Sequence, residues 1–228
     1  MLPVAILAGG LGTRLKPLTE TIPKALVEIN GKPFLAHQLA LLRAHGVPRV
    51  VLCVGHLGEM IREFAGEGGR FGVEVLYSYD GPALRGTAGA LRNALPLLGE
   101  RFFVLNGDSY LRCDYAAVER AFAESGKPAL MTVFRNEGRW DRSNVEFDGA
   151  RIRAYEKNAA NPRMRHIDYG LGAFESRALT GLAPAESDLA AVYRELLRRD
   201  ELAAFEVAER FYEIGSPEGV AELSEYLR

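Results

Sequence analysis

Cysteine is scarce in this chain, with two residues among 228. Cys53 and Cys113 lack the close spacing that zinc sites and redox motifs require, and they imply no disulfide framework. Cys53 lies inside an apolar run, which is typical of a small core residue. The sequence therefore fits a protein that folds in a reducing cytoplasm.

Long apolar runs are also missing. No stretch approaches the roughly 20 apolar residues that a membrane-spanning helix needs. Residues 1–7 are largely apolar, but this segment is too short for a signal peptide and lacks its basic start. We therefore expect a cytoplasmic protein without a membrane partner.

Neither sign of charge is in excess, because 28 Lys and Arg residues stand against 30 Asp and Glu residues. A net charge of -2 gives no electrostatic reason to expect a nucleic acid as partner. The composition, with 48% hydrophobic and 25% charged residues, is that of an ordinary globular protein. Because the chain shows no internal repeat or linker, we predict one domain over residues 1–228.

Apolar runs alternate with helical patterns along the first half of the chain, whereas the second half contains a hairpin signal. The alternation predicts an α/β fold with a mainly parallel sheet covered by helices on both faces. Asp148-Gly149 predicts a two-residue turn between two short strands. The predicted strands cover residues 2–7, 49–54, 73–79, 101–105, 128–135, 145–147, 152–155, 166–175, 203–207 and 211–214. The predicted helices cover residues 33–46, 57–65, 86–98, 115–124, 189–199 and a final segment from 217.

A glycine-rich segment, Leu7-Ala-Gly-Gly-Leu-Gly-Thr-Arg14, directly follows the first predicted strand. Glycine lets the backbone approach a ligand closely, and successive N–H groups can form an anion-binding nest. Arg14 and Lys16 add positive charge. A dinucleotide fingerprint would need a third glycine at the position of Leu15, and the Gly-Lys-Ser/Thr of a P-loop is absent. The segment therefore predicts a phosphate site of another type.

Together with Pro23-Lys24-Ala25-Leu26, this segment resembles the signature of the sugar-1-phosphate nucleotidyltransferase family. The resemblance continues in order through the segments 31–34, 86–89, 106–108, 156–157 and 213–216. It implies a Rossmann-like nucleotidyltransferase (GT-A-like) fold with a mainly parallel mixed sheet. The nucleotide half would cover about residues 1–125 and the sugar-phosphate half about residues 126–228. Some members also carry a C-terminal left-handed β-helix, for which this sequence is too short, and we therefore expect the chain to resemble the short, transferase-only members.

The resemblance also implies a reaction and a set of roles. An oxygen of a sugar 1-phosphate attacks the α-phosphorus of a nucleoside triphosphate and releases pyrophosphate. Arg14 would stabilise the pyrophosphate, and Lys24 would bind the α-phosphate or the sugar phosphate. The implied nucleotide-binding residues are Leu7, Ala8, Gly9, Gly10, Gly12, Thr13, Gly86 and Thr87. The implied sugar-phosphate-binding residues are Asn106, Glu156, Lys157, Asp168, Tyr169 and Gly170.

Asp108 and Glu213 are the implied ligands of a magnesium ion. Asp108 follows a predicted strand at the sheet edge where α/β proteins bind ligands, and Mg²⁺ prefers oxygen ligands. Glu213 stands where most members of the family have Asp. Taken alone, Asp108 would be interpreted as a turn or helix-capping residue, and Glu213 as an exposed residue at a strand end.

Within the family, segments 167–170 and 212–216 resemble heptose 1-phosphate guanylyltransferases, which favours GTP and a heptose 1-phosphate. Segments 69–73 and 95–99 resemble N-acetylmuramate 1-phosphate uridylyltransferases. A non-catalytic regulatory protein that binds sugar nucleotides is the alternative of a different class, and turnover would distinguish it. The sequence carries no signal for an oligomeric state.

Overall fold

A computed structural model describes residues 1–157, 161–180 and 188–228. The strands are β1 (Val4–Leu7), β2 (Glu28–Ile29), β3 (Lys32–Pro33), β4 (Arg49–Val54), β5 (Glu74–Tyr79), β6 (Arg101–Asn106), β7 (Ser109–Leu111), β8 (Ala129–Arg135), β9 (Val145–Phe147), β10 (Ile152–Tyr155), β11 (His166–Glu175), β12 (Leu202–Val207) and β13 (Phe211–Glu213). The α-helices are α1 (Phe34–Ala44), α2 (Gly58–Ala65), α3 (Gly86–Leu98), α4 (Tyr115–Ser125), α5 (Ser176–Thr180), α6 (Leu189–Arg198) and α7 (Pro217–Tyr226). None of the helices in these ranges has the length and apolar character needed to cross a membrane.

Nine of the described strands form the main sheet. β1 lies between β4 and β6 and runs parallel to both, with Leu7 opposite Cys53 and Asn106. β11 pairs antiparallel with β6 and β8, whereas β8 and β12 are parallel. The prediction of a mainly parallel mixed sheet is therefore confirmed. The carboxyl ends of β1, β4 and β6 share one edge, where ligands bind in open α/β sheets.

Helices cover both faces of the sheet, as predicted. Alternate residues of β1 point to opposite faces, so Val4 and Ile6 join one core cluster and Ala5 joins another. The first cluster contains apolar side chains of α1, α2 and α4, and the second contains those of α3, α5 and α6. This burial on both faces explains why the strands near the centre appear as continuous apolar runs in the sequence.

A third apolar cluster lies beside the main sheet and contains Leu15, Tyr110, Ile214 and Leu223. It joins Leu15, which directly follows the glycine-rich segment 7–14 (the glycine loop), to α7 and to the antiparallel pair β7–β13. Because residues 15, 110 and 214 pack together, the first and last parts of the chain meet at the carboxyl edge of the sheet. The sequence did not predict β7 or the small β2–β3 pair.

The hairpin between β9 and β10 corrects one predicted detail. Asp148 donates its backbone N–H to the carbonyl of Arg151, so the central turn residues are Gly149 and Ala150 rather than Asp148 and Gly149. The Asp148 carboxylate accepts from the N–H groups of Ala150 and Arg151 at 2.9 and 2.8 Å. An aspartate that bonds the backbone two or three residues ahead moves the turn by one residue.

Candidate active site

The carboxyl ends of the parallel strands open into a cavity of about 450 Å³. The structure brings together at this cavity residues from most of the segments predicted to be functional. Those that line it are Leu7, Ala8, Gly9, Gly10, Gly12, Arg14, Lys24, Gly86, Thr87, Asn106, Asp108 and Glu213.

The glycine loop presents free backbone donors to the cavity. Within the described residues, the N–H groups of Gly9, Gly10 and Leu11 donate to no protein acceptor, which suits an anion-binding nest. Gly12 has a φ of +62°, and its carbonyl accepts from the Thr19 hydroxyl at 2.7 Å. The loop is therefore fixed by Thr19 while its donors remain available to a ligand.

The next turn along the sheet edge, after β6, requires a glycine. Gly107 donates its N–H to the carbonyl of Leu7, and a Cβ at Gly107 would lie 2.4 Å from that oxygen. Real Cβ contacts are not this short, and the obstacle is backbone, which cannot move aside. The close approach of the two loops places Asp108 directly beside the glycine loop.

Two cations line the cavity, Arg14 at the end of the glycine loop and Lys24 in the segment that follows it. The ammonium Nζ of Lys24 lies 2.5 Å from Oδ2 of Asp108, and both side chains are largely buried. Arg14 forms no ion pair or hydrogen bond within the part of the chain that the structure describes. One cation is thus paired with a carboxylate, and the other is free to bind an anion.

Two carboxylates meet through the pairing of β7 with β13, which sets Glu213 opposite Ser109. The Ser109 hydroxyl lies 3.4 Å from Oδ1 of Asp108 and 3.4 Å from Oε1 of Glu213. Burial raises the pKa of Glu213 to about 7, and the negative charges of Asp108 and Asp141 act in the same direction. The predicted metal ligands are therefore neighbours, although 105 positions separate them in the sequence.

Asp108 and Glu213 fit a magnesium site of a particular kind. Within the described ranges, no group of three or more His, Cys, Asp or Glu side chains is arranged to hold a metal. Mg²⁺ is commonly held by one or two carboxylates together with waters and substrate phosphates. A pair of neighbouring carboxylates that line a cavity satisfies that description.

Of the predicted sugar residues, Gly170 lies next to Asn106, but neither Gly170 nor Asp168 lines the cavity. Gly170 has a φ of +97°, and a Cβ there would lie 3.4 Å from Nδ2 of Asn106. The N–H of Gly170 donates to the Asp168 carboxylate at 3.1 Å, and the Tyr155 hydroxyl lies 3.4 Å from the other oxygen. Burial raises the pKa of Asp168 to about 6.

Four of the predicted residues lie elsewhere. The structure corrects the prediction that Tyr169 binds the sugar phosphate, because Tyr169 is 2% exposed and packs on Phe134 and Phe211 in the core. Because successive residues of a strand point to opposite faces of the sheet, Tyr169 points away from the face on which Asp168 and Gly170 lie. The other three are Thr13, which is exposed outside the cavity lining, Glu156, which pairs with Arg194, and Lys157, whose ammonium lies 3.8 Å from Asp188.

Sequence reasoning missed two acidic residues of the cavity lining, Asp80 and Asp141. Asp80 directly follows β5 and is 6% exposed, so the rule that identified Asp108 would also have identified it. Asp141 lies in an irregular loop, where periodicity gives no signal. The buried Asn136 holds this loop, donating from Nδ2 to the Asp141 carbonyl at 2.6 Å.

Known proteins with related sequences share parts of this chain. N-acetylmuramate alpha-1-phosphate uridylyltransferase of Neisseria meningitidis serogroup B is 40% identical over 49% of this chain and 49% of its own length. Mannose-1-phosphate guanylyltransferase catalytic subunit beta of Drosophila melanogaster is 32% identical over 93% of this chain and 59% of its own length. The chain thus spans about half to three fifths of the length of these two relatives.

A solved structure agrees over the whole chain. HddC from Yersinia pseudotuberculosis, crystallised with GMP-PN, has a TM-score of 0.80 and 25% identity and covers 100% of both chains. This likeness confirms the Rossmann-like nucleotidyltransferase fold. Residues 4–217 match the family described as nucleotidyl transferase, and the chain therefore belongs to that family.

Proposed function

We propose that the chain transfers a nucleoside monophosphate from a nucleoside triphosphate to a sugar 1-phosphate, with release of pyrophosphate. The observation that carries this proposal is the single cavity that joins the glycine loop, Arg14, the Lys24–Asp108 pair and Glu213. Both reactants are anions, so the site must neutralise charge and align the attacking oxygen. A cavity with two cations, free N–H donors and two adjacent carboxylates supplies these requirements.

The positions of these groups suggest their roles. The free N–H groups of the glycine loop bind the triphosphate, and Arg14 stabilises the charge that develops on the leaving pyrophosphate. Lys24 reduces the repulsion between the α-phosphate and the incoming sugar phosphate. Asp108 and Glu213 would hold Mg²⁺, which supplies further neutralisation of phosphate charge when it is bound.

We infer that the nucleotide is GTP, because Asp80 lines the cavity near the glycine loop. Its Oδ2 is 3.4 Å from where a Cβ on Gly9 would lie. An ionised carboxylate only accepts hydrogen bonds, and guanine presents two neighbouring donors, N1–H and the N2 amino group. Uracil has one N–H between two carbonyl groups, and a carboxylate would repel the oxygens of those carbonyl groups. The guanylyltransferase relative that covers 93% of the chain and the neighbour crystallised with GMP-PN support this inference.

We infer that the acceptor is a neutral sugar with a single phosphate, and a heptose 1-phosphate is our preferred candidate. Asp141 lines the cavity, and Asp168 accepts from the N–H of Gly170, which lies next to the cavity residue Asn106. These carboxyl groups can accept from sugar hydroxyls. The alternative is N-acetylmuramate 1-phosphate with UTP, which the Neisseria relative favours. Its lactyl carboxylate would add a negative charge to an already acidic region, which disfavours it.

A screen of pyrophosphate release would test the proposal. Purified protein and Mg²⁺ are combined with each nucleoside triphosphate and a panel of sugar 1-phosphates that includes heptose, mannose, glucose and N-acetylmuramate. The expected result is turnover that is highest with GTP and heptose 1-phosphate. Binding of triphosphate without pyrophosphate release for any pair would instead support a non-catalytic regulatory protein.

A further inference from the structure

Gly215 lies between Glu213 and the start of α7, and the guanidinium group of Arg14 covers it. A Cβ on Gly215 would lie 2.7 Å from Nη2, 3.1 Å from Cζ and 3.5 Å from Nη1 of Arg14. The first distance is far below a van der Waals contact, so Arg14 occupies the space that any side chain at position 215 would need.

The neighbours of these two residues explain why they meet. Leu15 follows Arg14, Ile214 precedes Gly215, and both are buried in the third apolar cluster, with exposures of 6% and 0%. Their packing fixes the two backbones relative to each other. The guanidinium itself forms no ion pair or hydrogen bond within the described residues, so its contact with Gly215 limits where it can lie.

The backbone conformation at position 215 does not require glycine. Among the glycines that the structure describes, thirteen have a positive φ, and Gly215 is not one of them. An alanine could therefore adopt the same backbone conformation. Since the conformation does not explain the glycine, the contact with Arg14 remains as the physical reason for having no side chain there.

We propose that Gly215 is a positioning residue, which by lacking a side chain lets the Arg14 guanidinium pack on the backbone two residues after Glu213, at the cavity that Arg14 and Glu213 both line. This inference rests on the proposed function, in which Arg14 binds the pyrophosphate group. A methyl group at position 215 moves the far end of a flexible side chain, so the fold tolerates it. A misplacement of about 1 Å at a reacting group can nevertheless reduce the rate by about 10²-fold.

The test compares Gly215→Ala with Gly69→Ala. A Cβ at Gly69 meets no atom within 4 Å, and its φ is also not positive, so this glycine is a matched control. We expect Gly215→Ala to lower kcat by about 10- to 100-fold, with an unchanged KM for the sugar phosphate and an unchanged Tm. Gly69→Ala should match the parent protein. An unchanged kcat in Gly215→Ala would overturn the proposal.

A double-mutant cycle separates an effect through Arg14 from other effects. Residues that act as a unit show non-additive losses, so Gly215→Ala should cost less than about 2-fold in an Arg14→Ala background. An equal fold-loss of kcat on Gly215→Ala substitution in the parent protein and in Arg14→Ala would overturn the proposal.

The same cycle is measured by calorimetry with Mg²⁺ and inorganic pyrophosphate, which needs no sugar. We expect Gly215→Ala to weaken pyrophosphate binding about 10-fold in the parent protein and not in Arg14→Ala, because both changes remove one interaction. The role of Gly215 would be overturned if the parent protein bound no pyrophosphate. It would also be overturned if the losses of pyrophosphate affinity in Gly215→Ala and Arg14→Ala were additive in the double variant. Absence of turnover with every sugar phosphate would instead refute the proposed function, and the binding cycle would still decide the role of Gly215.

Discussion

Nζ of Lys24 lies 2.5 Å from Oδ2 of Asp108, so the candidate phosphate-binding cation is paired with the candidate magnesium ligand. The exposures of the two side chains are 16% and 23%, and the pair therefore lies where charges are only partly screened. A metal ion at Asp108 would compete with Lys24, and a phosphate would compete with Asp108. The pair links the binding of the metal to the binding of the nucleotide.

Substitution of Lys24 should separate its contribution to catalysis from its competition with the metal ion for Asp108. We expect Lys24→Met to lower kcat by about 10²- to 10³-fold, because one donor to a developing phosphate charge is lost. It should also tighten the binding of Mg²⁺ in the absence of nucleotide, because Asp108 loses its competing cation. Steady-state pyrophosphate release and a calorimetric titration with Mg²⁺ measure the two effects. Lys16→Met is the control, since Lys16 pairs with Glu20 outside the cavity lining.

Opposite changes in rate and metal affinity are the signature of the pair. Unaltered Mg²⁺ affinity in Lys24→Met would mean that Lys24 and the metal do not share Asp108.

The two candidate metal ligands should respond differently to added magnesium. Asp108→Asn should nearly abolish turnover at every Mg²⁺ concentration, since its carboxylate faces both Lys24 and the cavity. Glu213→Gln should raise the Mg²⁺ concentration for half-maximal rate by about 10-fold and recover activity at high Mg²⁺. Circular dichroism should show an intact fold in both variants. A metal titration of Glu213→Gln that matches the parent would remove Glu213 from the site.

Local patterns were sufficient to predict most of the sheet and its helices. β4 and α3 have the predicted bounds, 49–54 and 86–98, because β4 is buried on both faces and a turn signal precedes α3. The β7–β13 pair could not be predicted, since its pairing joins distant parts of the chain through three-residue strands that show no periodicity. Tyr169 shows the opposite case: the alternation of buried and partly exposed residues over 167–171 would have been enough to separate it from Asp168 and Gly170.

Substitution of Asp80 tests whether its carboxylate recognises the guanine base of GTP. We expect the parent protein to favour GTP over ITP about 10-fold in kcat/KM, because inosine lacks the N2 amino group and leaves one carboxylate hydrogen bond unmade. Asp80→Asn should reduce kcat/KM for GTP and remove most of the difference between GTP and ITP. The measurement is kcat/KM for GTP, ITP and UTP with one sugar phosphate.

Asp200→Asn is the control for this substitution. Asp200 pairs with Lys127, does not line the cavity, and has a φ of +56°, which asparagine tolerates well. An identical order of the three nucleotides in the parent and in Asp80→Asn would refute base recognition by Asp80.

The Asp168 carboxyl should make stability depend on pH. Its pKa is about 6 in the folded protein and 3.8 in its ordinary environment, so the folded state keeps a proton that the unfolded state loses. The free energy of unfolding should therefore fall as pH rises from about 4 to about 6, by on the order of 3 kcal/mol. Asp168→Asn removes this titration and keeps an oxygen that can accept from Gly170.

Urea unfolding of the parent protein and of Asp168→Asn at pH 4 and pH 7 measures this contribution. The other titrating groups are common to both proteins, so the difference between them isolates Asp168. We expect similar stabilities at pH 4 and a more stable Asp168→Asn variant at pH 7, because only the parent buries an ionised carboxylate there. Parallel pH profiles would show that the Asp168 carboxyl is as well solvated in the folded protein as in the unfolded chain, which would contradict its burial.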